Sequence, residues 1–169
     1  IARSMDRDPK HLQAMLKRTH EHKGTSFLEI YQNCNIFNDG AFFSYTEKEV
    51  KKQNTLFVEH GKPMVYGQED EYGIKLDGTK PEIVKLSDGY SLDDLWIHDE
   101  NDAIKANILI RMETLFSDQK FPRPFGVFYT SQRPKYEQLL EEQIKKAIDQ
   151  KGKGDLDALI AGNETWVIE

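Results

Sequence analysis

The run "DRDPKHLQAMLKRTHEHKGTSFLEIYQN" restricts the fold more than any other stretch of the chain. Asp8 can cap a helix and Pro9 suits its first turn, where a missing N–H costs nothing. Leu12, Met15, Leu16 and Thr19 then recur at helical spacing until Gly24 stops the helix. "TSFLEIYQN" follows, short and rich in β-branched and aromatic residues, as expected of a largely buried strand. Ile1 and Ala2 read as the end of a preceding strand. Strand, helix and strand in this order predict a βαβ unit with parallel strands, and hence the α/β class. Cys34 falls at the carboxyl end of the second strand, the edge at which open α/β sheets place their ligands.

Beyond this unit the pattern changes. "GKPMVYG" and "YGIKLDGTKPEIVKL" are short extended runs, and Asp77-Gly78-Thr79-Lys80 reads as the turn of a hairpin between Ile74, Leu76 and Ile83, Val84, Leu86. From about Asn101 to Ser117, the residues Ile104, Ile108, Leu109, Met112, Leu115 and Phe116 predict one helix with one apolar stripe. Two prolines around Arg123 favour extended backbone in "FPRPFGVFYT", so Phe125, Val127, Phe128 and Tyr129 read as a short strand or an apolar strap. A helix from about Pro134 to Gln150 is expected to pack through Tyr136, Leu139, Leu140, Ile144, Ala147 and Ile148. "KGKG" reads as a hinge, followed by a short helix capped by Asp155 and ended by Gly162, before "NETWVIE".

Composition excludes several classes of function. The 169 residues are 38% hydrophobic and 31% charged, with a mean hydropathy of −0.69, which fits one compact unit with long surface segments. No run approaches the roughly 18 apolar residues of a membrane span, and the N-terminus does not resemble a secretory signal, so a soluble, cytoplasmic protein is expected. A net charge of −6 with interleaved signs argues against nucleic acid as a partner. One cysteine cannot form an internal disulfide, so its thiol is inert, reactive or a ligand. The first residue is Ile1, which reads as a piece of something longer.

The candidate chemistry is sparse. A free cysteine taken by itself is most often a small buried hydrophobe, and composition leaves that reading of Cys34 open. His98-Asp99-Glu100 offers metal-compatible groups, but consecutive residues do not aim at one ion, and a helix N-cap is the simpler reading. His11, His20 and His22 are expected on the solvated faces of the first helix, and His60-Gly61-Lys62-Pro63 is a turn. Lys48, Lys51 and Lys52 are either a solvated helix face or a basic docking patch. No nucleophile elbow, phosphate-binding loop or paired-carboxylate pattern is present.

The run "ARSMDRDPKHLQAMLKRTHEHKGTSFLEIYQNCNIFNDGAF" closely resembles the second half of the beta subunit of 2-oxoacid:ferredoxin oxidoreductases, the 2-oxoglutarate type in particular. "EHGKPMVYG", "HDEND", "PRPFGVFY", "RPKYEQLL" and "GNETW" resemble later parts of the same subunit. The resemblance implies an enzyme that oxidatively decarboxylates a 2-oxoacid to its acyl-coenzyme A and passes the electrons to ferredoxin. It implies thiamine diphosphate, Mg2+ and a 4Fe-4S cluster in the beta subunit, and an alpha subunit as partner. Residues 1–45 would end the thiamine-diphosphate-binding parallel-sheet domain. Residues 46–169, a hairpin and helical extension, would pack on that domain and on the alpha subunit. The family's Gly-Asp-Gly motif and three of its cluster cysteines fall before Ile1, whereas Cys34 matches the fourth. Cys34 would then be a thiolate ligand of iron, with Asn35 and Asn38 among the groups around it. Without the preceding half, the piece alone would be inactive. The alternatives are a non-catalytic module that clamps the partner subunit, and an α/β domain with a structural cysteine.

Overall fold

The computed structural model describes residues 1–116, 119–163 and 166 of the chain. Ser117 and most of the closing run after Asn163 therefore lie outside the described residues. The contacts divide the chain into two units, Ile1–Gln132 and Arg133–Glu169.

The first unit opens with the expected βαβ. Strand β1 is Ala2–Met5, helix α1 is Pro9–Glu21 and strand β2 is Leu28–Tyr31. The strands pair in parallel, Ala2 opposite Leu28 and Met5 opposite Tyr31. Asp8 caps α1 by accepting from the His11 backbone N–H at 3.1 Å. The burial expected of β2 is not seen: only Tyr31 is buried in it, and Ile30 is 42% exposed. The reason is topological, because β2 is an edge strand of a sheet in the order β2-β1-β7-β3.

Two short helices, α2 (Phe43–Thr46) and α3 (Lys48–Asn54), lead into β3 (Thr55–Val58). Strand β4 (Val65–Tyr66) then begins a second, antiparallel sheet with β5 (Tyr72–Asp77) and β6 (Lys80–Lys85). The β5–β6 hairpin turns at Gly78, with Asp77 paired to Lys80, as the sequence predicts. The helix expected from Asn101 to Ser117 is broken in two: α4 is Ala103–Ile110 and α5 is Met112–Leu115. Arg111 leaves the helical region at φ −108°, ψ 5°. Leu109 and Met112 enter the core, while Ile104 and Leu115 face outward. Asp102 caps α4 through Ile104 and Lys105, so the cap lies beyond the His98-Asp99-Glu100 run.

"FPRPFGVFYT" forms β7, Arg123–Val127, which is a strand and not a strap. It lies between β1, antiparallel to it, and β3, parallel to it. The sheet is therefore mixed, with parallel pairs at both edges. A proline inside such a strand removes a ladder donor. Here β1 pairs with β7 only at Gly126 and Val127, and the Arg3 guanidinium donates to the Pro124 carbonyl at 3.1 Å instead. Gly126 has φ +126°, and a Cβ there would sit 2.4 Å from the Val58 carbonyl oxygen, so close strand packing requires glycine.

Two groups of buried side chains fill this unit. The larger includes Leu56, Met64, Ile74, Trp96, Leu109, Met112 and Phe128. The smaller is Met5, Tyr31 and Phe125, with Phe42 and Tyr45 packed against it. Polar groups enter with partners. His98 is buried with Nε2 2.7 Å from the Val127 carbonyl, which can only accept, so Nε2 carries the proton. Glu100 is buried and accepts from both terminal nitrogens of Arg18, at 2.6 and 3.1 Å. His11 is half-buried, with Nδ1 2.8 Å from Ser4 Oγ and its ring edge-on to Phe57, and is not solvated as expected.

In the second unit, α6 is Tyr136–Lys151 and α7 is Leu156–Ala161, capped by Asp155 and ended at Gly162 as predicted. The expected stripe on α6 forms but is not covered: Tyr136, Leu139, Leu140, Ile144 and Ile148 are all exposed. Among the described residues no helix is long and apolar enough to cross a membrane.

The buried imidazoles make stability depend on pH. Burial holds both His98 and His11 below the usual histidine pKa. The unfolded chain takes up protons near about pH 6.5 that the folded chain refuses, so stability is full above that value and falls as the pH drops below it. Urea unfolding at pH 7.5 and 5.5 should show a lower midpoint at the acid value. His98→Gln, which keeps an N–H for the Val127 carbonyl but cannot titrate, should reduce the difference; an equal or larger difference would exclude His98 as a source.

Candidate functional site

β1 and β2 run in parallel and end together at Met5 and Tyr31, where the Asp6 N–H donates to the Tyr31 carbonyl at 3.0 Å. Cys34 lies three residues beyond this end of β2, at the edge predicted for it. It is exposed, so it is not a filler of the core.

The loop around it is shaped by its asparagines. Asn33 donates from Nδ2 to Asn35 Oδ1 at 2.9 Å and to Asp39 Oδ1 at 2.8 Å, and its own Oδ1 accepts from the Gly40 N–H at 2.9 Å. One side chain thus gathers both arms of the turn. Within it Cys34 and Asn38 form an isolated antiparallel bridge, the Asn38 N–H reaching the Cys34 carbonyl at 3.0 Å. Gly40, at φ +78°, lets the chain turn back toward α2.

Main-chain hydrogen bonding from Phe37, Ile36 and Asn38 holds the Cys34 thiol pKa below its ordinary value. Asp39 opposes them through its negative charge. Donors aimed at sulfur favour the thiolate, the form that binds metals and attacks electrophiles. The asparagine-rich loop was expected to offer backbone and side-chain N–H groups to the sulfur, and those that lower the thiol pKa are main-chain groups. Within this polar turn, Ile36 and Phe37 are exposed by 84 and 89%.

The other candidates do not join this site. Lys51 donates to Asp8 at 2.6 Å and lies over the Phe57 ring, and Lys52 reaches the Gln68 carbonyl at 3.1 Å. Lys51 is half-buried, whereas Lys48 and Lys52 are both exposed. His98 and Glu100 are internal, and Asp99 accepts from Asn101. Among the described residues no group of three or more His, Cys, Asp or Glu is placed to hold a metal ion. Two features at the site were missed from sequence. The Asp6 Oδ1 is buried at the same sheet edge with no hydrogen-bond partner among the described residues. Arg123, at the start of β7, donates to Tyr31 and Tyr45 on either side of the loop.

The chain is 31% identical over 174 aligned positions, 100% of its own length, to the 2-oxoglutarate oxidoreductase subunit KorB of Mycobacterium tuberculosis. It spans 45% of that subunit, less than half of its length. The likeness expected from sequence therefore holds along the whole chain. No family model matches the chain, and no solved structure matches it.

Alkylation of Cys34 by iodoacetamide, followed against pH, should give a midpoint below the value of about 8.5 for a free cysteine. Asp39→Asn, which removes the opposing charge and leaves an oxygen for Asn33, should lower it further. A wild-type midpoint at or above the ordinary value would show that the three N–H groups do not stabilise the thiolate.

Proposed function

Because the chain resembles, from end to end, part of a 2-oxoglutarate oxidoreductase subunit, we infer that it is the C-terminal part of the beta subunit of a 2-oxoacid:ferredoxin oxidoreductase. The observation that carries this is the coincidence of that likeness with the state of Cys34: one exposed thiol, at the ligand-binding edge of a parallel strand pair, with its pKa lowered by main-chain donors. The parent enzyme would convert a 2-oxoacid, 2-oxoglutarate by the name of its relative, and coenzyme A to an acyl-coenzyme A in the cytoplasm.

The residues present fit one corner of a 4Fe-4S cluster. Cluster iron takes thiolate, and hydrogen bonds to sulfur tune the potential. With a single cysteine in the chain, the remaining ligands would come from the preceding half of the subunit. When bound, thiamine diphosphate with Mg2+ would supply the electron sink for decarboxylation, and the cluster the one-electron path to ferredoxin. The chain's own contribution is narrower. The loop from Gln32 to Ala41 lowers the pKa of Cys34 and presents it outward, while Ile36 and Phe37 offer apolar surface that would keep water from whatever covers the sulfur.

In this reading, the expected boundary at residue 45 separates roles. Residues 1–45 carry the ligand loop, and the rest supplies β3 and β7 beneath it and the helices beyond. The uncovered stripe of α6 favours a second role for the extension, as surface that the alpha subunit covers.

Cys34→Ala in the assembled enzyme should lose or degrade the cluster, seen as a fall in iron, acid-labile sulfide and visible absorption after anaerobic purification, with 2-oxoglutarate-dependent ferredoxin reduction lost alongside. Thiamine diphosphate binding should largely survive, since its motif lies outside this chain. A variant with full iron content and full electron transfer would remove Cys34 from the ligand set.

A further inference from the structure

We propose that Arg123 is a positioning residue for Cys34, holding both flanks of the ligand loop through Tyr31 and Tyr45 and so setting how the sulfur is presented. This rests on the functional reading of Cys34 given above. The internal bonds of the loop, from Asn33 and between Cys34 and Asn38, define its shape but do not orient it on the sheet. Orientation comes from the residues on either side. Tyr31 ends β2 just before the loop, and Phe42 and Tyr45 follow just after it; Tyr31 stacks on Phe42 at 4.2 Å and meets Phe125 edge-on at 5.4 Å.

Arg123 joins these flanks. Its Nη1 donates to Tyr31 Oη at 2.6 Å and its Nη2 to Tyr45 Oη at 3.2 Å, although the tyrosines are 92 and 78 residues away in sequence. Its Nε faces the Glu113 carboxylate of α5, which fixes the guanidinium from behind. The guanidinium carbon also lies 4.9 Å from the centre of the Tyr45 ring. A planar fork that gives two hydrogen bonds and an ion pair suits this task, whereas a lysine, with one compact charge, cannot serve all three partners in the same geometry. Arg123 starts from β7, an internal strand of the sheet, where it is paired with Thr55 of β3.

Two arms of one experiment test this. In the 169-residue chain, the double variant Tyr31→Phe, Tyr45→Phe removes only the two hydroxyl acceptors. Amide exchange by NMR at Asn38 and Gly40 should become about tenfold faster, as expected when hydrogen bonds that hold a local unit are lost. Exchange in the β5–β6 hairpin should not change. In the assembled enzyme the same variant should keep its iron but show a shifted midpoint potential and an altered EPR spectrum, and Arg123→Lys should behave likewise and fail to restore the wild-type values. Unchanged exchange at the loop, or loop exchange that rises together with that of the hairpin, would overturn the proposal, as would an unaltered potential and spectrum. A failure of the functional reading is separate: it would show as wild-type iron content independent of Cys34, with the exchange arm still deciding whether Arg123 holds the loop.

Discussion

The first unit depends on the insertion of β7 between β1 and β3. Without it, β1 and β2 would be an isolated parallel pair, an arrangement whose hydrogen bonds are too few to stand alone. β7 adds Phe125, which is fully buried against Met5 and Tyr31 and stacks on Phe57 at 5.7 Å. It also adds Gly126, whose lack of a Cβ allows the β3 backbone to come close. Early and late parts of the chain thus share one sheet, and the Cys34 loop rests on aromatic groups drawn from both.

What could be read from sequence divides along this line. The βαβ unit was legible because its signals are local: Asp8, Pro9 and the spacing of Leu12 and Met15 act within a few turns of helix. The Gly78 hairpin and the Asp155 cap were legible for the same reason. The exposure of β2 was not, since Leu28 to Tyr31 have the composition of a buried strand and only the order β2-β1-β7-β3 makes them an edge. The break at Arg111 was equally hidden, because an apolar spacing continues through it. The position of Cys34 and the main-chain donors of its loop were foreseen, but not that the side chain of Asn33 shapes the turn. Arg123 was read only as a residue between two prolines, and nothing in its surroundings in sequence points to Tyr31 or Tyr45.

The charged residues show a similar partition between packing and surface. Lys51 with Asp8, Arg18 with Glu100 and Arg3 with Glu29 each tie an early element to a partner. In the Arg18–Glu100 pair Glu100 is buried and accepts from two guanidinium nitrogens, so loss of Arg18 leaves a buried carboxylate without its partner. Part of the chain's positive charge is thus held within its own framework.

The state of the Cys34 loop fits a charged sulfur better than a neutral one. A thiol is a weak acceptor, and the main-chain hydrogen bonding that lowers the pKa of Cys34 would be poorly used by it. The same donors around a thiolate make charge-assisted hydrogen bonds, which are the stronger kind. Asp39 works against this, yet its Oδ1 is held by Asn33, so the opposing carboxylate is part of what shapes the turn. The loop therefore carries an unresolved electrostatic demand: donors that favour negative sulfur, a carboxylate that disfavours it, and apolar Ile36 and Phe37 left in solvent beside both. A cation on the sulfur would satisfy the thiolate and remove the conflict with Asp39 at once, and a covering partner would bury the two apolar side chains.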